Sequence, residues 1–451
     1  MYVRKRMNKK EISRKDSKKV HPKIDIYFSM LQFGFSGLLE VTSPAVRAIF
    51  TAKTTWKKFI NVVGRFVLLP IKGIYYRFKY SDQIEYKKII NKPCLLVISK
   101  NNKDVLSLIK EGNKEAVYIT YEAYVTDKEE IVPLVHFSIW FRSYLYPWVL
   151  WNFYKRYGKK AFHYMDYIFK GVGQYEASVQ FLKKYRPQYI VFANDHTVFP
   201  RAFLLAAKSL EIPTIYIQHA SVTPYFPPLD FDLNLLEGQA TLDQYTANGS
   251  VRGEVKFVGM PKFDPYINCR NTSEKVKKIG VCSNMMDDQK VVESFLSTLS
   301  QALPEVVLTF RPHPADPTIF KIPKSIKRST KEEPVFDFLQ NQDLIIAGNT
   351  SIHLEAVLLN VVSIYYEYTP FKADIRDMYR YCKNELAYPA LDFDQLLAVI
   401  KKEQAQKNTV IYKKAKYYNA VVGTEHEGKS GALAVQYINE YIAALPAAVS
   451  K

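Results

Sequence analysis

The sequence predicts an α/β protein: two Rossmann-like domains with a central cleft, preceded by a basic helical N-terminal region. Three observations carry this expectation. Short apolar, β-branched runs alternate with helix-length segments over most of the chain beyond residue 90, which is the rhythm of a parallel sheet. Polar residues stand just past the carboxyl ends of those runs, where open parallel sheets bind their ligands. Hydrophobic residues make up 48% of the 451, enough for genuine cores and sufficient length for two or three domains.

Taken in order, residues 1–23 read as a disordered basic arm, polar throughout and with no signal-peptide core. From Ile24 to Tyr80 helices are expected, broken or kinked at Pro70. The first buried strand is Pro93 to Ser99, ending in a polar loop at Lys100 to Asp104, and Ala116 to Thr120 is the second. Residues 133–155 are dense in aromatics and read as a helix pair packed on the sheet, or as a surface facing a lipid monolayer. A helix over 173–185 then leads to strand Tyr189–Ala193 and the loop Asn194-Asp195-His196-Thr197. Helix Pro200–Leu210, strand Thr214–Ile217 with Gln218-His219 at its end, and strand Asp232–Leu236 with Glu237-Gly238 at its end follow. A helix at 239–247 and strand Val255–Gly259 complete this half, and the polar stretch 264–277 reads as a linker. The second half opens with Ile279–Cys282, then Ser283-Asn284 and a helix at 287–303. Strands at 305–310, 343–347 and 361–366 come next, and helices near 393–405, 409–419 and 430–444 close the chain. The domain reading is therefore a helical region over 1–90, a Rossmann-like domain over 91–265, a second Rossmann-like domain over 266–405, and C-terminal helices over 406–451.

Charge and cysteine content exclude several classes. The four cysteines contain no Cys-x-x-Cys pair, which argues against a zinc ribbon or a disulfide scaffold and for a reducing, cytoplasmic compartment. The net charge of +19 is concentrated at one end: residues 1–90 hold 20 Lys/Arg against 6 Asp/Glu. Between Glu40 and Asp82 there are eight basic residues and no acidic one, interleaved with aromatics and aliphatics such as Trp56, Phe59, Phe66, Ile71 and Phe78. That mixture suits an anionic inner-membrane surface. A solvated packing face is the plainer reading. Nucleic acid is disfavoured because no reader motif accompanies the charge. Arg65 and Lys72 interrupt the apolar run before it reaches a membrane-spanning length.

The chemistry centres on Arg311-Pro312-His313-Pro314 and on Gly348-Asn349-Thr350-Ser351, each leaving the end of a strand. A helix N-terminus there offers unpaired N–H groups to an anion. Thr350 and Ser351 add hydroxyls, Arg311 and His313 add donors from the neighbouring strand, and Glu355 one turn on suits ribose hydroxyls. With Ser283, Asn284 and Asn349 these residues read as the pocket of a nucleotide-activated donor. Across the cleft, His219 is the candidate base because an imidazole titrates near neutrality, with Asp195 and Glu237 as rivals and His196 able to orient or replace Asp195. His353 reads as a packing residue. No cluster has metal-ligand spacing, and no P-loop motif is present.

These motifs resemble the GT-B glycosyltransferases of bacterial capsule and wall-polymer synthesis: the CMP-sialic acid and CMP-Kdo transferases with a His-Pro motif, and the CDP-glycerol glycerophosphotransferases. The matching residues are His313-Pro314, Thr350-Ser351 and the run from Leu354-Glu355-Ala356 to Val362–Tyr366, with the likeness spanning about residues 185–370. Gln218-His219 resembles the His-Gly element that carries the acceptor-side base, with Ala220 standing where that family has glycine. Glu237-Gly238 resembles an acidic-acidic-Gly motif in which Leu236 replaces the first acid. The resemblance implies transfer of a sugar, or a polyol phosphate, from a nucleotide donor to a saccharide or lipid-linked glycan acceptor, with no metal or other cofactor and with CMP the preferred nucleotide. The basic, aromatic region over 1–90 lies outside the resemblance and would hold the protein in the cytoplasm, peripheral on the inner membrane face, near such an acceptor. The alternatives are a UDP-sugar 2-epimerase-like enzyme and a non-catalytic subunit of a polysaccharide assembly or export complex.

Overall fold

A computed structural model describes residues 22–36, 49, 52, 54–80, 85–120, 136–285, 287–314, 316–368 and 376–445. Residues 1–21 of the expected basic arm lie outside them, and its last two, Pro22 and Lys23, open the helix Pro22–Phe35. Two six-stranded parallel sheets form the body, as the sequence predicts. The first contains β1 (Pro93–Val97), β2 (Val117–Thr120), β3 (Tyr189–Phe192), β4 (Thr214–Ile217), β5 (Asp230–Leu236) and β6 (Arg252–Phe257), in the order β2-β1-β3-β4-β5-β6. The second contains β7 (Lys278–Cys282), β8 (Val307–Arg311), β9 (Lys327–Arg328), β10 (Leu344–Ala347), β11 (Val362–Tyr366) and β12 (Tyr388–Ala390), in the order β12-β11-β10-β7-β8-β9. In this second sheet the chain runs outward from β7 to β9, then returns to the other side of β7 and runs outward again. The crevice between β7 and β10 is therefore the switch point at which doubly wound sheets bind ligands.

Strand periodicity explains the first domain's two cores. Cys94 and Leu96 of β1 face helices Pro22–Phe35, Met165–Lys184 and Val198–Ser209. Leu95 and Val97 face the opposite side, against Val105, Leu106 and Ile109 of helix Lys100–Gly112. That same side receives Leu433, Ala434 and Ile438 of helix Ser430–Ala444, so the end of the described chain crosses back onto the first domain. Its first N–H groups, those of Ser430 and Gly431, donate to the Asp264 carboxylate at 3.0 and 2.7 Å.

Several local expectations change. The loop expected at Lys100–Asp104 is the start of a helix, because the Ser99 side chain accepts from Asn102 N–H and caps it. Pro70 lies inside a continuous helix, Thr55–Tyr80. The stretch read as linker begins with a 3-10 helix, Pro261–Cys269. The helix expected at 409–419 is the 3-10 helix Ile411–Tyr417. Strands β9 and β12, of two and three residues, are too short to show a pattern in sequence.

Among the described residues, helix Thr55–Tyr80 is joined to the first domain on one side only. Val62 is buried, Phe66 packs edge-on to Trp140 and Phe169, and Arg65 pairs with Asp166 at 2.7 Å. Trp56, Phe59, Val67, Leu68, Ile71 and Phe78 remain exposed. Among the described residues no helix is long and apolar enough to cross a membrane.

Candidate functional site

The sheet order brings together the carboxyl ends of β10, β7 and β8, and with them three of the segments picked out in sequence. Ser283 N–H donates to Arg311 O at 3.1 Å, and Asn284 Nδ2 donates to Asn349 O at 3.2 Å, so the three loops are knitted to one another. Ser283, Asn284 and Asn349 are all buried here. Among the described residues Ser283 Oγ and Asn349 Nδ2 have no hydrogen-bond partner, and the same is true of Asp287 Oδ1, which lies beside Gly348. Asp287 Oδ2 accepts from Asn284 N–H at 2.8 Å, and burial pushes the carboxyl up to about 7. Three orphaned polar atoms in one crevice are costly, at about 1–3 kcal/mol each, unless something polar completes them.

The remaining donor-site candidates divide. His313 is partly exposed at the mouth of the crevice, and burial lowers its pKa, with Arg311 adding to the effect against the opposing charge of Asp316. Thr350 and Ser351 lead into the helix Ile352–Leu358, and Ser351, at the cap position, makes no side-chain cap bond. Two expectations are corrected. Arg311 does not reach the crevice: its guanidinium donates to Ser329 Oγ at 2.6 Å and to Glu333 O at 2.8 Å. Glu355 is not open to a ribose either, since it is buried and ion-paired with Lys262.

His353 shows how the Gly348 loop is fixed. Its Nε2–H donates to Gly348 O at 2.8 Å, which leaves Nδ1 to accept from Ser363 Oγ at 2.6 Å. The ring is buried and neutral, its pKa pushed down to about 4 by burial against the opposing effect of bonds to Gly348 and Ala347. The unfolded chain therefore takes up a proton near pH 6.5 that the native state refuses, and stability falls as pH drops toward 4. Over that interval this one group contributes a loss of about 3 kcal/mol. In urea melts at pH 7 and pH 4.5, His353→Gln is expected to show a smaller drop between the two pH values than the wild type.

Across the cleft, the ends of β3, β4 and β5 carry Asp195-His196, Gln218-His219 and Glu237. Asp195 is buried with both oxygens occupied: Oδ2 accepts from Tyr245 Oη at 2.6 Å, and Oδ1 is 3.1 Å from His196 Nδ1. It orients its neighbour rather than meeting a substrate. His196 stacks on Phe226 at 3.9 Å between ring centroids, with Phe33 on another side at 4.8 Å. His219 departs from the near-neutral imidazole expected of it. Burial, then the nearby His196 and Lys262, push its pKa down to about 3 despite Asp195, and its Nδ1 has no partner among the described residues. Glu237 is buried and pushed up to about 8, with Lys262 opposing and Glu355 reinforcing the shift. Its Oε2 accepts from Gln218 Nε2 at 3.3 Å.

The two domains meet around these groups. Lys262, on the connecting 3-10 helix, sits between Glu355 of the second domain and the field of Glu237 of the first. Ala420 N–H donates to Glu237 O at 2.8 Å. The next residue must be small, since a Cβ on Gly238 would lie 2.6 Å from Tyr418 O. Ser221 Oγ and Tyr381 Oη are 2.6 Å apart. Tyr381 belongs to a loop in which Asp377, Arg380 and Glu385 hold left-handed φ values of 47°, 59° and 58°. The Asp377 carboxylate fixes that loop by accepting from Cys382 and Lys383 N–H at 3.2 and 3.0 Å. Strained non-glycine residues persist where surroundings over-determine them, commonly at ligand clamps. A pocket lies here between the domains, lined by Ser221, Glu237, Thr241, Leu354, Arg380 and Tyr381 among others.

Sequence reasoning missed Lys262, Asp287 and the tyrosine loop. Asp287 follows Asn284 closely enough to have been found as part of the same strand-end loop. Lys262 gave no such signal, because nothing local distinguishes a lysine buried between two carboxylates from a solvated one. Among the described residues, no group of three or more His, Cys, Asp or Glu is placed to hold a metal ion.

No family model matches the chain, and no curated protein matches it in sequence. Solved structures match its fold. CalG4, the calicheamicin glycosyltransferase, aligns at a TM-score of 0.51 and 12% identity over 78% of this chain and 99% of its own. S. aureus MnaA, solved with UDP, aligns at 0.48 and 10% over 78% and 98%. The UDP-GlcNAc 2-epimerase from Neisseria meningitidis, bound to UDP-GlcNAc, aligns at 0.45 and 11% over 77% and 100%. At such identities the likeness shows the fold alone. With its two parallel sheets, the chain has the GT-B fold.

Proposed function

We propose that the protein is a glycosyltransferase that binds a nucleotide-activated donor in the β7–β10 crevice. It passes the sugar, or a polyol phosphate, to a surface-glycan acceptor lying against the first domain. The observation that carries this reading is the set of orphaned polar atoms at the switch point, Ser283 Oγ, Asn349 Nδ2 and Asp287 Oδ1. A hydroxyl and an amide N–H there suit phosphate oxygens. Asp287 takes the ribose-binding role that Glu355 cannot, since a carboxyl held near neutrality accepts from a hydroxyl without repelling a phosphate strongly. Thr350, Ser351 and His313 complete the phosphate side. His313 is not counted as a cation, because its pKa is lowered.

On the acceptor side His196 is the proton acceptor. Nδ1–H donated to Asp195 leaves Nε2 as the basic atom, so the acceptor hydroxyl loses its proton to Nε2 as its oxygen bonds to the transferred group. The bond to the donor phosphate breaks, and the nucleotide leaves with that electron pair. His219 and Glu237, desolvated beside it, exclude water and position the acceptor. The same reading places the protein at the cytoplasmic face of the membrane, where a lipid-linked acceptor would be held. CMP remains the nucleotide favoured by the His-Pro and Thr-Ser motifs.

The test is a thermal-shift panel of CMP, CDP, UDP and GDP on the wild type and His313→Ala, followed by product analysis with the corresponding donors. One nucleotide is expected to stabilise the wild type by about 2.7 kcal/mol at a hundredfold excess over Kd, with a smaller gain in the variant. Nucleotide release that requires an acceptor supports transfer. Conversion of the donor sugar without acceptor would replace this reading with an epimerase, and no binding at millimolar concentration would replace it with an assembly subunit.

A further inference from the structure

The helix Thr55–Tyr80 has two apolar faces, and among the described residues one is buried against the first domain while the other stays exposed. Val62, Phe66 and Gly73 turn inward. On the other side, Trp56, Ile60, Val67, Ile71, Ile74 and Phe78 follow one another at intervals of four, seven, four, three and four residues. That spacing sets them in one stripe, about 33 Å long. Trp56, Ile71 and Phe78 are 67%, 58% and 78% exposed, and Phe59 stacks beside Trp56 at 5.7 Å. Such a stripe is far larger than the scattered apolar residues of an ordinary surface. Lys57 and Lys72 lie on its flank, exposed, and the helix carries no acidic residue. Phe141 and Tyr144, 70% and 65% exposed, extend the apolar surface on the segment that packs beside it.

We propose that this stripe is the membrane-docking face of the protein, lying in the headgroup region of an anionic lipid monolayer with Trp56, Phe59, Ile71 and Phe78 among the acyl chains. An interfacial helix needs an apolar face, a basic margin and no uninterrupted apolar stretch able to span, and this helix has all three. Charge decides between a membrane and a second copy of the chain. A two-fold dimer would set the same basic helix against itself, whereas anionic headgroups neutralise it. The Arg65–Asp166 pair and the Phe66 contacts hold the helix to the first domain, so docking would fix that domain's position relative to lipid-linked molecules. The inference makes specific the membrane placement in the proposed function, but it rests on none of the donor pocket, and the nucleotide panel and the vesicle assay fail independently.

The test uses the full chain with vesicles of phosphatidylcholine alone or with 30% phosphatidylglycerol, in sedimentation and tryptophan-emission assays at about 0.1 and 0.5 M salt. Binding to the anionic vesicles is expected, at least tenfold tighter than to neutral ones and weakened by salt, with a blue shift that Trp56→Phe reduces. Ile71→Ser combined with Phe78→Ser should reduce binding at least tenfold while leaving the thermal melt unchanged, since both side chains are exposed. Lys57→Glu with Lys72→Glu should remove the preference for anionic lipid. Binding that is absent, or unaffected by the stripe variant, overturns the proposal. So does a concentration-dependent dimer in sedimentation velocity that the stripe variant abolishes.

Discussion

Replacing Lys262 with alanine is expected to destabilise the protein by about 3–5 kcal/mol, the largest stability loss among the substitutions considered for the cleft. The lysine is ion-paired with Glu355, whose side chain is only 6% exposed, and it also opposes the upward shift of the buried Glu237. Without it, two buried carboxyl groups, those of Glu237 and Glu355, are left without the cation that lies between them. The pair itself need not be strongly stabilising. Desolvating a lysine and a glutamate offsets most of their attraction, so Lys262→Met combined with Glu355→Leu should recover most of what the single change loses. A urea-melt double-mutant cycle measures this directly, and a non-additive term below 1 kcal/mol would show that the pair is not coupled.

The sign of the pH dependence follows from Glu237. Its folded pKa, about 8, lies above its unfolded value near 4.5, so the native state holds a proton the unfolded chain has released. Its contribution to stability is thus lost as pH rises from about 4.5 through 8. Removing the lysine removes the one attraction that restrains this shift. The Lys262→Ala deficit should therefore change little between pH 5 and 7 and grow as pH rises through 8, where the wild-type Glu237 releases a proton that the variant retains.

How far the sequence could reach depends on whether a feature is local. The parallel sheets were legible because buried strands such as Leu344–Ala347 are continuous apolar runs bounded by polar strand ends. Ser283, Asn284 and Asn349 were legible because position at a strand's carboxyl end is itself the signal. Arg311 was misplaced because alternation along β8 does not tell which way a last, long side chain turns, and Ser329 and Glu333 claim it from a loop about twenty residues on. Glu355 was misplaced for a related reason: helical spacing gave its face, but the partner that buries it lies 93 residues earlier. The exposed stripe on Thr55–Tyr80 was visible as composition only. Which half of the apolar residues the fold would consume could not be read until Val62 and Phe66 were seen against the body.

The other large effect concerns catalysis. His196→Ala is expected to lower kcat by about 10²- to 10⁴-fold with little change in the nucleotide-induced thermal shift, because general-base assistance acts in the transition state and His196 lies across the cleft from the donor. Asp195→Asn should also be severe. An asparagine can present its amide N–H to Nδ1 and so favour the tautomer whose proton sits on Nε2, the atom that must be free to accept one. It also removes the carboxylate that Tyr245 supports. Tyr245→Phe keeps the ring in place and loses one 2.6 Å bond to Asp195, so its effect should be milder and should appear in kcat rather than in KM. His219→Gln separates this assignment from the alternative base. With its pKa near 3, His219 is a weak acceptor of protons in the resting protein, and its replacement is expected to raise KM for the acceptor more than it lowers kcat. If instead His219→Gln abolishes turnover while His196→Ala retains it, the base is His219, and the Asp195–His196 pair is part of the framework that holds it.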